Sequence, residues 1–267
     1  MSLGIVIKGP EGLVFAADSR ITLMTKIKNK DAYVFFDNAT KLLTFKSNPN
    51  FAAVTYGESV IINTGRTANS YLPEFDNYLG NKRNLTIQEF AKELGLFFNK
   101  LWTENIGKDN SHHNGMIFQI GGFNETEHFG RVFEINIPNN INPIEKHAGP
   151  NQFGISWGGE RRYVDRLIQG FDNEIIDYIK SSKIDENEQR KILNKIDSFK
   201  MTLPLNILPL QDCINVALFF LRTTIDAQNL TVGVRSVGDP IEVAVITRNG
   251  LQFVQKRELV GEDGLRK

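Results

Sequence analysis

The sequence predicts an α+β layered fold, on three observations. Strand-like runs open, centre and close the 267-residue chain. Helical periodicity is confined to the segments between them, and the runs meet across short Gly/Pro or polar turns, as antiparallel hairpins do. Helices do not alternate singly with strands, so a parallel doubly wound sheet is disfavoured.

Residues 4–8 and 13–18 are β-favouring runs around Gly9-Pro10-Glu11-Gly12, which predicts a hairpin. If Lys8 faces Leu13, the register puts Leu3 opposite Asp18 and Ser2 opposite Ser19. The start of the chain then lies beside Asp18. Residues 41–45 and 51–56 continue the strand pattern around a turn at 46–50, and Gly57 ends the block.

A helix is expected over 58–70, and a better marked one starts at Thr86. Thr86 with Glu89 three residues on is a capping box, and Ile87, Phe90, Ala91, Leu94, Phe98 and Leu101 recur at helical spacing as a core stripe. Residues 116–122 and 131–137 read as strands separated by the polar turn Asn124-Glu125-Thr126-Glu127, and 153–157 adds another. Residues 160–201 are helical and strongly polar from 181 to 200, a solvated face or a surface against a neighbouring subunit. After Pro204 and Pro209, Leu210, Ile214, Ala217, Leu218, Leu221 and Ile225 give a helix over 210–226 a wide apolar face, which predicts burial. A last hairpin, 241–247 with 251–254, turns at Arg248-Asn249-Gly250 and is followed by a charged tail. With no internal repeat and no low-complexity linker, a single domain over 1–267 is expected, with a polar helical insertion near 181–200.

Composition narrows the function. Lys and Arg total 31 and Asp and Glu total 31, so the net charge of zero supplies no basic excess to hold a nucleic acid. Cys213 is the only cysteine, which excludes an intramolecular disulfide and a cysteine-type zinc site. There is no basic leader and no apolar run of about 18 residues, so no membrane partner is expected and the predicted location is cytoplasmic.

The common hydrolase signals fare poorly. Gly154-Ile155-Ser156-Trp157-Gly158 is set aside as a nucleophile elbow. His112-His113 sits in a polar loop without the His-Glu-x-x-His spacing of a metal site, while His128 and His147 are isolated. Cys213 falls in a buried-looking helix, and neither Gly9-Pro10-Glu11-Gly12 nor Gly121-Gly122 makes a phosphate cradle.

What remains is the N-terminus. Ser2 is small enough for Met1 to be removed, which would leave a residue carrying both a hydroxyl and an α-amine. That amine has a reference pKa of about 7.7–8.0, so one residue can supply nucleophile and base. Such a site needs a buried carboxylate and a cation. The hairpin register offers Asp18, and Lys41, at the start of the next strand, is the natural cation. No metal or organic cofactor is required.

Gly9 through Arg20, ending Ala17-Asp18-Ser19-Arg20, resembles the opening of proteasome β-subunits and their bacterial and archaeal relatives, the N-terminal nucleophile hydrolases. Thr40-Lys41-Leu42-Leu43 resembles the segment holding that family's lysine. Thr55-Tyr56-Gly57-Glu58 resembles the strand end whose glycine N–H serves the oxyanion, and 237–250 resembles the closing loop and hairpin. The resemblance implies a four-layer αββα sandwich of two antiparallel sheets, assembled into homo-oligomeric rings. It implies Ser2 as nucleophile, Asp18 and Lys41 as its partners and Gly57 as oxyanion donor. Ser2 stands where the family has threonine. Gly158 or Gly159 stands where it often has a supporting serine, with Ser156 nearby, and Ser236 is the substitute in the closing loop. The implied activity is hydrolysis of peptides or unfolded proteins, with an ATPase or unfoldase as possible partner. The alternatives are a catalytically silent ring subunit and an amide-bond transferase.

Overall fold

The structure is a computed structural model that describes residues 2–28, 30–58, 60–61, 63–82, 84–107, 113–149 and 151–258. The opening hairpin forms as its register predicts. Strands β1 (Leu3–Lys8) and β2 (Leu13–Ala17) pair from Lys8 with Leu13 to Gly4 with Ala17, and the Asp18 N–H continues the ladder to the Leu3 carbonyl at 3.3 Å. All eleven strand residues are buried. Leu3, Ile5 and Ile7 point to one face and Val6 to the other, so β1 is covered on both sides.

The chain continues through β3 (Ile21–Ile27), β4 (Lys30–Phe36), β5 (Leu42–Thr44) and β6 (Phe51–Gly57). The helix expected over 58–70 is absent. In its place a ribbon of β7 (Val60–Ile61) and β8 (Arg66–Thr67) leads into a 3-10 turn, Ala68–Tyr71, and helix α1 (Leu72–Leu79). Gly65 at φ +66° turns the chain between the ribbon strands, a conformation in which a right-handed helix cannot continue. Helix α2 (Ile87–Asn105) starts at the expected capping box and buries Ile87, Phe90, Ala91, Leu94 and Phe98.

Strands β9 (Met116–Gly122) and β10 (Arg131–Ile137) match expectation, and β11 (Asn140–Lys146) is an addition. Pro143 hides β11 in the sequence, yet β11 lies at a sheet edge, where a missing N–H is tolerated. After β12 (Gly154–Gly159) come α3 (Arg162–Gln169), α4 (Asn173–Ser181), α5 (Glu186–Asp197) and α6 (Leu210–Leu230), then β13 (Glu242–Thr247) and β14 (Gly250–Gln255). Helix α5 buries none of its residues, as its polarity predicts for a solvated face.

Among the described residues the strands form four antiparallel sheets. One five-stranded sheet runs β12-β1-β2-β13-β14 and the other β11-β10-β9-β6-β5, while β3-β4 and β7-β8 are two-stranded ribbons. Leu13, Phe15, Ala52, Val54 and Ala244 fill a core shared by the five-stranded sheets. Helices α1 and α2 pack on the second sheet, and α6 with Val164 of α3 packs on the first.

The expectation of a four-layer αββα sandwich of two sheets is therefore corrected to an α+β fold with, among the described residues, four antiparallel sheets and six α-helices. The physical reason is that, among the described residues, β3 pairs with β4 and β7 with β8 apart from the five-stranded sheets, and α4 and α5 bury little beyond Ile179. The β3-β4 ribbon instead exposes Leu23, Met24, Tyr33, Val34, Phe35 and Phe36. No helix among the described residues is long and apolar enough to cross a membrane.

Candidate functional site

The ends of β1, β2 and β12 and the start of β5 meet around Asp18. Its carboxylate is fully buried and accepts four hydrogen bonds. Oδ1 takes the Leu3 N–H at 2.9 Å and the Lys41 ammonium at 2.8 Å, while Oδ2 takes the Arg20 N–H at 3.0 Å and the Gly238 N–H at 3.2 Å. A buried charge is tolerable only when paired and fully hydrogen-bonded, and Asp18 meets both conditions.

Lys41, with 2% of its surface exposed, also donates to the Arg20 carbonyl. Burial lowers the Lys41 pKa, and the charge of Asp18 opposes that shift. Arg20 in turn grips Asp37 through Nε and through Nη2 at 2.7 Å, and reaches the Arg235 carbonyl at 3.2 Å. That side-chain pair holds the Arg20 pKa above and the Asp37 pKa below their ordinary values.

Ser2 has no exposed surface. It is tied to the pair through Leu3, whose N–H shares Oδ1 with Lys41. On its other side the Ser2 carbonyl accepts the Glu160 N–H at 2.7 Å. Gly159 at φ +93° makes this possible, because a Cβ there would lie 1.7 Å from the Ser2 oxygen. Met1, whose removal the nucleophile reading requires, lies outside the described residues, as does His112.

Gly57 closes β6 one residue after Tyr56, and Tyr56 is its link to this region. A Cβ on Gly158 would fall 2.2 Å from Tyr56 Cζ, and one on Gly4 would fall 3.0 Å from Cδ1, so the glycines of β12 and β1 make room for that ring. The Tyr56 hydroxyl donates to Glu134 Oε2 at 3.0 Å and accepts from Gln119 Nε2 at 3.1 Å. Burial and the Glu134 charge raise its pKa.

The two supporting serines part company. The Ser236 hydroxyl donates to Glu160 Oε2 at 3.3 Å and accepts from Gln228 Nε2 at 3.1 Å, two residues before the Gly238 N–H that holds Asp18. Ser156 faces Val6 in mid-strand, away from residue 2, with its Oγ 3.0 Å from His147 Nε2. The segment Gly154-Ile155-Ser156-Trp157-Gly158 does carry the letters of a nucleophile elbow. It is nonetheless a continuous strand, β12, and not the strand-to-helix turn that would expose the serine. His147 is therefore not isolated, and burial lowers its pKa.

Sequence reasoning missed Glu160, Tyr56, Arg20, Asp37 and Gln228 as neighbours of the site. Arg20 directly follows the Asp18-Ser19 pair and was legible there, whereas Glu160, just past β12, and Gln228 of α6 carry no local signal. Among the described residues no group of three His, Cys, Asp or Glu side chains could hold a metal ion.

No family model matches the chain, and no curated protein matches it. Solved structures do. Anbu from Hyphomicrobium sp. strain MC1 is 17% identical with a TM-score of 0.55, covering 99% of this chain and 95% of that one. Anbu (ancestral beta-subunit) from Yersinia bercovieri is 18% identical with a TM-score of 0.55, covering 95% and 88%. The Anbu complex of Pseudomonas aeruginosa, solved as a helical assembly, is 17% identical with a TM-score of 0.57, covering 98% and 87%.

These comparisons correct the family expectation. The structures this chain resembles are Anbu proteins, a family distinct from the proteasome β-subunits proper, and nothing in them places the chain among N-terminal nucleophile hydrolases. The block that carried the sequence resemblance is a hairpin ending in a buried carboxylate, and so local an arrangement does not separate one family from another. At this level of identity the likeness is one of fold, and the fold of this chain is similar to that of Anbu proteins.

Proposed function

We propose that the chain is a peptidase whose nucleophile is Ser2, exposed by removal of Met1. The observation that carries this reading is the bridge made by Asp18 Oδ1 between the Leu3 N–H and the Lys41 ammonium, next to a fully buried Ser2. In this reading the α-amine of residue 2 takes the hydroxyl proton as Oγ attacks the substrate carbonyl, and the oxygen of the adduct takes up the negative charge. Lys41 stabilises the ionising hydroxyl, Asp18 orients Lys41, and the Gly57 N–H receives the oxyanion. The intermediate collapses to an ester on Ser2, the leaving amine departs with the proton, and water then releases the acid. An amine in place of water would make the same site an amide-bond transferase.

The proposal extends to a single 267-residue domain that assembles with copies of itself, by analogy with the Pseudomonas aeruginosa Anbu assembly, and acts on peptides or unfolded proteins. An ATP-driven unfoldase would be its supply of unfolded chains. A silent structural subunit is the second reading. A chain that keeps Met1 favours it, because residue 2 then has no free α-amine to act as base.

The test is treatment of the native protein with a serine-directed electrophile, followed by intact mass and peptide mapping. An adduct on residue 2 of a chain lacking Met1 supports the peptidase. A chain that retains Met1 and forms no adduct supports the structural subunit, and an adduct on Ser156 moves the chemistry to the Ser156–His147 pair.

A further inference from the structure

Two acidic residues stand beside residue 2, and only Asp18 has a part in the reading above. The other is Glu160. The β1-β12 ladder pairs Leu3 with Gly159, so the next position sets Glu160 beside Ser2, and the Glu160 N–H to Ser2 carbonyl bond of 2.7 Å seals that register. Gly159 at φ +93° ends β12, and the Glu160 carboxylate, one residue beyond the strand, reaches the Ser236 hydroxyl.

The carboxylate of Glu160 is held by a directional chain. The Val237 N–H donates to Gln228 Oε1 at 3.0 Å, which leaves the Gln228 amide nitrogen as donor to Ser236 Oγ at 3.1 Å. The Ser236 proton is thereby directed to Glu160 Oε2 at 3.3 Å. The same short segment sends the Gly238 N–H to Asp18 Oδ2. Residues 236–238 thus fix both carboxylates relative to one another, an expense in buried polar groups that a simple strand end does not need.

We propose that Glu160 is the carboxylate that pairs with the α-ammonium of residue 2 once that residue heads the chain, with Ser236 and Gln228 as its positioning residues. This rests on the reading of Ser2 as an N-terminal nucleophile. Asp18 is already committed to four donors, one of them Lys41, so the new positive charge meets its counter-charge from the residue that follows β12. Neighbouring charged and titratable groups among the described residues have partners of their own. Arg20 holds Asp37, Arg161 turns to Asp165 at 3.4 Å, and Tyr56 is bound to Glu134. The consequence is control of the base: a carboxylate beside the ammonium favours its charged form and raises the pH at which the amine can accept a proton.

The experiment is a pH titration of the α-amine of the full-length mature chain, followed by ¹³C NMR after reductive ¹³C-methylation, in wild type and in Glu160→Gln. The α-amine pKa is expected to fall by about one unit in Glu160→Gln, and the acid limb of the peptidase pH profile to move with it. Glu160→Asp should recover part of the shift, and Ser236→Ala, which keeps the charge but removes its tether, should lower the pKa by less. An unchanged α-amine pKa in folded Glu160→Gln overturns the assignment of Glu160 and leaves the nucleophile reading standing. A chain whose intact mass includes Met1 overturns both, and the mass tells the two failures apart.

Discussion

Lys41 Nζ lies 2.8 Å from Asp18 Oδ1, and the two side chains expose 3% and 0% of their surface. A buried ion pair of this kind contributes little net stability, but losing one partner strands a charge in a low-dielectric interior.

That asymmetry sets the first prediction. Lys41→Ala is expected to abolish activity and also to cost about 3–5 kcal/mol of stability, because Asp18 is left charged without its cation. Lys41→Met, which keeps most of the side-chain volume, should lose activity as well and remain destabilised, because Asp18 still lacks its cation. Denaturant unfolding of the three proteins checks this, and a Lys41→Ala chain as stable as wild type would show that the pair is not buried.

Gly158 is predicted to be intolerant of any side chain. A Cβ there would sit 2.2 Å from Tyr56 Cζ, and the ring cannot swing aside while Glu134 and Gln119 hold its hydroxyl. Gly158→Ala should destabilise by about 1–3 kcal/mol, the usual cost of overpacking. Tyr56→Phe in the same chain should relieve part of it by freeing the ring, which a double-mutant cycle measures.

Gly159→Ala tests the position of Ser2 itself. The new methyl would meet the Ser2 carbonyl and the backbone would be strained at φ +93°, so residue 2 must move. Loss of electrophile labelling at residue 2 in a folded variant is the expected result, and labelling at the wild-type rate would contradict it.

His147 supplies a pH dependence. Burial lowers its pKa, partly offset by a hydrogen bond with the Ile155 backbone, so the folded chain binds the imidazole proton less readily than the unfolded chain does. Its contribution to stability is present above the unfolded value of about 6.5 and is lost as the pH falls from there through the lowered folded pKa. Urea midpoints at pH 7.5 and 5.5 should therefore differ more in wild type than in His147→Gln. Equal differences would remove His147 from the account.

Thr86 is a purely structural control. Its hydroxyl accepts the Glu89 N–H at 3.3 Å while the Glu89 carboxylate takes the Thr86 N–H at 2.9 Å. Thr86→Ala should cost about 1 kcal/mol of stability and leave labelling at residue 2 unchanged.

Local chemistry made part of this molecule readable in advance. The Gly9 to Gly12 turn dictates its own hairpin and thereby carries Leu3 to Asp18, and the Thr86–Glu89 box starts α2 without help from the rest of the chain. Both depend on interactions within a few residues, where sequence and geometry are nearly the same information. Lys41 was legible as a candidate but not as a buried cation, because its burial depends on β5 docking near Arg20 and Asp18.

The remainder belongs to tertiary structure. Ser156 meets His147, and Glu160 meets Ser236, across separations of 9 and 76 residues that no spacing rule encodes. Residues 21–36 are strand-like in sequence, yet only the paired chain decides that they leave the main sheets as an exposed ribbon. Turns and caps are closed by neighbouring groups along the chain. The surroundings of Ser2, in contrast, are assembled from β2, β12, the start of β5 and the loop before β13, and their energies exist only when those elements are brought together.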